Sequence, residues 1–176
     1  MDIKRRDLIT IAIPTIFVFV GFWLVFGRNP IFEKKYARDV DSTIMPEATE
    51  VTSNIGIQGV VEQNFICSSD TLSSLAVVFS RNSYVDGATL VVELSDGYQI
   101  LGSIVVDANK IESQHRTYVY PEQQISGLLN KNLILKIYSV NGIDSGLAIM
   151  YNDTIPSKFR FGNSYIDGSI CFVIEP

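Results

Sequence analysis

Residues 89–107 read TLVVELSDGYQILGSIVVD, and their spacing decides the fold class. Leu90, Val92 and Leu94 alternate with Val91 and Glu93. After Ser95-Asp96-Gly97-Tyr98, a second apolar burst holds Ile100, Ile104 and Val106. Apolar residues at every second position mark a half-buried strand. Asp-Gly supplies the positive φ that a tight hairpin turn needs. The stretch therefore predicts two antiparallel strands joined at Asp96-Gly97, with Glu93 pointing to solvent.

The same grammar extends in both directions. Leu133, Leu135 and Ile137 alternate with Lys136 and Tyr138, and Asp86-Gly87, Asn141-Gly142 and Asp167-Gly168 punctuate the other bursts. No amphipathic stretch is long enough for a helical crossover, so parallel βαβ units are not expected. Eight or nine strands between Ile57 and Ile174 predict an all-β domain, a jelly-roll or Greek-key β-sandwich. Its last strand, from Ser169, runs almost to the end of the chain.

The beginning of the chain is different. Residues 8–26 contain no charged side chain, and Thr10 and Thr15 are the polar ones. At about 1.5 Å per residue this run crosses a hydrocarbon layer of about 30 Å. A buried core helix of that length would show a polar face, and this run has none. Pro14 is tolerated in a membrane helix, and Phe22, Trp23 and Phe26 suit a lipid–water boundary. The exit, Phe26-Gly27-Arg28-Asn29-Pro30, lacks a small-x-small cleavage site, which favours an uncleaved anchor over a signal peptide. Lys4, Arg5 and Arg6 precede the run and place the N-terminus inside, although Arg28, Lys34, Lys35 and Arg38 follow it. The expected organisation is a cytoplasmic tail (1–7), a single-pass transmembrane helix (8–27), a stalk (28–56) and an extracytoplasmic β-sandwich (57–176). The expected location is the cell membrane.

Charge follows this division. Of 176 residues, the first 38 hold seven Lys/Arg and three Asp/Glu; the remainder holds seven Lys/Arg and sixteen Asp/Glu. A basic foot suits an anionic lipid surface. An acidic head lacks the cationic face that nucleic acid requires.

Several phrases of the head resemble a bacterial extracytoplasmic jelly-roll module. That module occurs with membrane glycosyltransferases and cell-surface polysaccharide proteins, and is itself similar to carbohydrate-binding β-sandwiches. The phrases are Glu62-Gln63-Asn64-Phe65, residues 72–79, GATLVVELSDG at 87–97, residues 131–139, 146–149 and 167–172. The resemblance covers about residues 58–175. It implies a β-sandwich facing a glycan-rich compartment and transfers no sugar-contact residue.

Chemistry is sparse. His115, the one histidine, has no Gly-x-Ser-x-Gly elbow to serve, and reads as a surface residue. Two cysteines and one histidine cannot complete a four-ligand zinc site without carboxylates. Structural calcium is the alternative cofactor to none: Asp70, Asp86, Asp96, Asp107, Asp144, Asp153 and Asp167 lie near turns, without an Asp-x-Asp-x-Asp-Gly run. Turns favour Asp for their own reasons. Glu62, Glu93 and Glu112 lie in or near strands, but nothing pairs two of them for glycoside hydrolysis. The head is therefore expected not to be an enzyme.

Cys67 and Cys171 stand in the first and last strand regions. They either form a disulfide, worth about 4–5 kcal/mol for so long a loop, or are buried thiols behaving as small hydrophobes. Asn152-Asp153-Thr154 fits the N-glycosylation pattern. The candidate ligand contacts are Tyr84, Asp86, Tyr98 and Tyr151, because tyrosine at turns and edges stacks on sugars or anchors protein partners. Two functions follow: a glycan-binding or polysaccharide-assembly accessory, or a structural subunit of a membrane protein complex. The expected partners are membrane lipid, a glycan and a membrane protein.

Overall fold

The computed structural model of the chain describes residues 41–56 and 58–176, which fall in one compact unit, Tyr36–Pro176. The expected tail and transmembrane helix lie outside the described residues, as do residues 28–40 of the stalk. Among the described residues no helix is long and apolar enough to cross a membrane.

The described residues form an all-β domain. Its strands are β1 (Glu50–Asn54), β2 (Val61–Ile66), β3 (Thr71–Leu72), β4 (Ser74–Arg81), β5 (Thr89–Ser95), β6 (Ile100–Asp107), β7 (Arg116–Val119), β8 (Ile125–Ser126), β9 (Asn132–Ser139), β10 (Leu147–Asn152), β11 (Lys158–Phe161), β12 (Ser164–Asp167), β13 (Ser169–Ile170) and β14 (Phe172–Glu175). Two six-stranded antiparallel sheets result. Sheet I runs β1-β10-β4-β14, with β13 on β10 and β7 on β4. Sheet II runs β12-β11-β2-β9-β5-β6. A short β3–β8 ladder stands apart. Most successive strands pass from one sheet to the other; the hairpins β5–β6 and β11–β12 stay within sheet II.

Alternation explains the pairing. Buried and half-buried positions alternate strictly along β2 and β9. Leu133, Leu135 and Ile137 thereby face the same core as Leu90, Val92 and Leu94 of β5. From sheet I, Leu75, Val77, Phe79, Leu147, Ile149, Phe172 and Ile174 join that core. The two sheets meet through side chains: the rings of Phe65 and Phe172 lie 4.8 Å apart, those of Tyr151 and Phe159 5.1 Å apart. Two antiparallel sheets sharing one apolar cluster are consistent with a β-sandwich. Gln63 brings an amide into the interior. Its Nε2 donates to Asn64 O at 2.9 Å, and its Oε1 accepts the Ile170 N–H of the opposite sheet at 3.3 Å. A buried amide needs such partners.

The structure departs from the sequence reading at two places. Residues 50–54, read as the end of the stalk, are strand β1, paired with β10 from Glu50↔Tyr151 onward. A mixed-polarity segment qualifies as an edge strand because only one of its faces packs: Thr52 is buried while Val51 is 46 % exposed. Next, all four glycines of the Asx-Gly pairs have positive φ, but only Gly97 lies in a hairpin turn; Gly87 and Gly168 carry the chain between sheets. At Gly168 (φ 121°) an added Cβ would stand 2.4 Å from Asn152 O, so this crossing admits only glycine. The two cysteines, left open between a disulfide and buried thiols, fall in different sheets that face each other across the core. Cys67 extends the β2–β9 ladder, its N–H donating to Lys131 O at 2.9 Å. Cys171 sits where β13 and β14 wedge between β10 and β4; its N–H donates to Met150 O and its carbonyl accepts from the Val78 N–H. Both cysteines are free and buried.

Candidate functional site

The outward face of sheet II is where the strands assemble side chains able to bind a ligand. Register builds it row by row. In one row Arg160 pairs with Glu62, Glu62 with Lys136, Lys136 with Glu93, and Glu93 with Ser103. Tyr165 stands opposite Arg160 at the far end. Signs alternate across four strands, an arrangement in which each neighbour stabilises the next. Arg160 Nε donates to Glu62 Oε2 at 3.0 Å, and its Nη2 reaches the other carboxylate oxygen. That hydrogen bond raises the guanidinium pKa above its ordinary value. Lys136 Nζ stands 5.2 Å from the centre of the Tyr138 ring, within cation–π reach. The Tyr138 hydroxyl donates to Glu93 Oε2 at 3.4 Å. Partial burial, then the Glu93 charge, pushes the Tyr138 phenol upward.

This row borders a shallow depression of about 270 Å³, lined by Glu62, Glu93, Lys136, Ser95, Gln99, Ile100, Ile134 and Tyr98. Tyr98 is 99 % exposed at the tip of the β5–β6 hairpin. Its backbone position is held: Asp96 Oδ1 accepts the N–H groups of Tyr98 and Gln99, both at 2.9 Å. Those two hydrogen bonds hold the Asp96 carboxyl below its ordinary pKa. A pre-set turn thus presents an aromatic face beside hydrogen-bond donors and acceptors, the combination a polyhydroxylated ring requires.

The four candidate contacts do not converge. Tyr98 belongs to the depression. Tyr84 and Asp86 share the β4–β5 loop at the other end of β5, where the Arg81 guanidinium stacks 4.2 Å from the Tyr84 ring centre. Tyr151 belongs to sheet I, packed on Phe159; burial pushes its phenol pKa up. Glu62 and Glu93 are separated by the β9 strand, about 10 Å between backbones at ordinary strand spacing, and Lys136 stands between them. Glu112 lies on an exposed loop 3.9 Å from His115. The His115 ring is itself largely exposed, with Nδ1 donating to Ser113 O at 2.9 Å.

The turn aspartates act locally. Asp107 accepts Asn109 N–H at 3.0 Å, Asp144 accepts Gly146 N–H at 2.8 Å, and Asp153 accepts the Thr49 hydroxyl at 2.7 Å. Asp167 pairs with Lys158 at 3.1 Å. Among the described residues no three of His, Cys, Asp and Glu cluster to hold a metal ion. Asn152 Nδ2, in the glycosylation triplet, donates to Glu47 O at 2.7 Å, while Thr154 bonds back to its Oδ1.

Sequence reasoning placed Tyr98 and the outward Glu93 but missed Lys136, Tyr138, Gln99 and Arg160 as their companions. A signal existed: Lys136 and Tyr138 occupy the polar phase of an alternating strand. The pairing register that brings them beside Glu93 is not encoded in that phase. No protein-family model matches the chain, and no curated protein matches it.

Proposed function

We propose that the β-domain is a non-catalytic glycan-binding or cell-surface polysaccharide-assembly accessory, carried outside the membrane by the apolar run at residues 8–26. In this reading the N-terminus is cytoplasmic, the run is a single-pass anchor, and the domain is a jelly-roll sandwich. The repeated passage of successive strands between sheets supports that topology. The carrying observation is Tyr98, almost wholly exposed on a braced turn beside the Glu62–Lys136–Glu93 row. An exposed phenol ring offers a flat apolar face for a sugar, and the carboxylates, amide and ammonium bind hydroxyls around it.

Binding of the full chain in mild detergent to a glycan array, then calorimetry on the best hit, tests this. Tyr98→Ala should weaken binding by about tenfold, since a stacking contact of this kind is worth about 1 kcal/mol or somewhat more. An array that retains nothing, or a Tyr98→Ala chain that binds undiminished, refutes it.

A second reading makes the domain a structural subunit of a membrane protein complex. It is favoured by Tyr118 and Tyr120 on sheet I. Their rings stack at 6.3 Å and stay 41 % and 65 % exposed, and exposed aromatics commonly anchor protein contacts.

A further inference from the structure

The four lateral sheet edges are guarded unequally. A free edge offers unpaired N–H and C=O groups to any other strand, and stable proteins blunt it with charge, proline, shortness or a bulge. Edge strand β12 has four residues and carries the Asp167 end of an ion pair. β1 opens with Glu50 and is broken by a register shift between Val51 and Asn54. β7 has four residues, starts with Arg116, and is soon followed by Pro121. β6 is eight residues long, ILGSIVVD, with no lysine, arginine or proline, and its one charge is the terminal Asp107. A register shift opposite Leu94 and Ser95 disturbs its first residues; the stretch from Gly102 to Val106 stays regular.

Three further observations single out this edge. Among the described residues β6 pairs with β5 alone. Among the described residues, no backbone hydrogen bond outside the ladders uses residues 100–107. Its apolar side chains are not sealed: Leu101, Ile104 and Val106 are only half-buried although they pack on the core, and Ile100 and Val105 are 60 % and 65 % exposed. Residues 121–126 face the start of β6 across a recess of about 600 Å³ instead of pairing with it.

We propose that β6 pairs antiparallel with β6 of a second copy of this chain, joining two sheets II across a two-fold axis. The strand is self-complementary in one register. Centred on Ile104, it sets Ile104 against its own mate, Ser103 against Val105, Gly102 against Val106, and Leu101 against Asp107. No like charges meet, because the two Asp107 carboxylates face leucines at opposite ends. A two-fold contact uses the same patch on both copies, and such isologous pairing is the commonest form of closed assembly. This inference does not depend on the glycan reading.

The test uses the full chain in mild detergent. Sedimentation equilibrium should show a reversible dimer. Val105→Lys, a change at an exposed position, should raise its dissociation constant at least tenfold by bringing a charge into each outward row. The double variant Ser103→Cys/Val105→Cys should cross-link into a dimer on mild oxidation; the native cysteines are buried and do not compete. A chain that stays monomeric overturns the proposal. So does a dimer that Val105→Lys leaves intact and that the 103/105 cysteines fail to cross-link, since it then associates elsewhere. Pairing of β6 with another protein's strand while the chain itself remains monomeric also overturns it.

Discussion

The two sheets share a core yet turn unlike faces outward. On sheet I, Ala76, Ala148, Cys171 and Val173 point away from the core cluster and are nevertheless buried. They are small or apolar, and their face shows solvent little at these positions. On sheet II the corresponding positions carry Glu62, Lys136, Glu93 and Arg160, side chains long enough to reach water from a half-buried stem. One architecture thus separates a sealed face from a readable one by the size and charge of every second residue. A ligand surface needs donors and acceptors held in register but still wet, and sheet II supplies them beside the exposed ring of Tyr98.

The comparison can be broken most completely at the layer both faces rest on. Phe172→Ala removes the ring that meets Phe65 across the sheets and should cost about 3–5 kcal/mol, read as a lower urea midpoint with the slope unchanged. The proposed glycan binding and the proposed dimerisation should then fail together near the midpoint. A cost under about 1 kcal/mol would mean that the sheets do not depend on this contact.

A pair of lysine-related changes sharpens the contrast between faces. Ala76→Lys on sheet I forces a long charged chain into a site with 0 % exposure and should cost about 1–3 kcal/mol. Lys136→Ala on sheet II removes a surface partner and should stay within about 1 kcal/mol. Equal costs in thermal or urea melts would erase the distinction.

The smallest effect under mild conditions is in alkaline pH. Burial pushes the Cys171 thiol from 9.0 up to about 12. A group whose folded pKa lies above its unfolded value keeps its full contribution below the unfolded pKa and loses it as pH rises toward the folded one. Stability should be flat to about pH 9 and fall between there and pH 12, and Cys171→Ser should flatten that part of the decline. Burial also raises the Cys67 thiol, so neither thiol should react with a disulfide reagent at pH 8 until the chain is unfolded.

Local pattern carried the strands well. β5, β6 and β9 were legible from period-two spacing, and the turn at Asp96-Gly97 from its dipeptide, because both are properties of neighbouring residues. β1 was not, since a segment of mixed polarity becomes a strand only when β10 provides a partner. The short β3 and β8 were equally silent, since two residues carry no period, while β13 and β14 were read as one strand from Ser169.

By itself, then, the order of residues determined that the domain is all-β, which side chains alternate inward, and where positive-φ glycines punctuate it. It also marked Glu93 as outward and Tyr98 as a candidate contact in a turn. Tertiary structure alone decided which strands are neighbours. That choice put Lys136 between two glutamates, sent Tyr84 and Tyr151 to different parts of the domain, set Cys67 and Cys171 in opposite sheets, and left β6 at an edge with β5 on one side. The physical reason is that alternation is fixed by bond geometry over two residues, whereas register and sheet order depend on burying one shared core assembled from residues as far apart in sequence as Phe65 and Phe172.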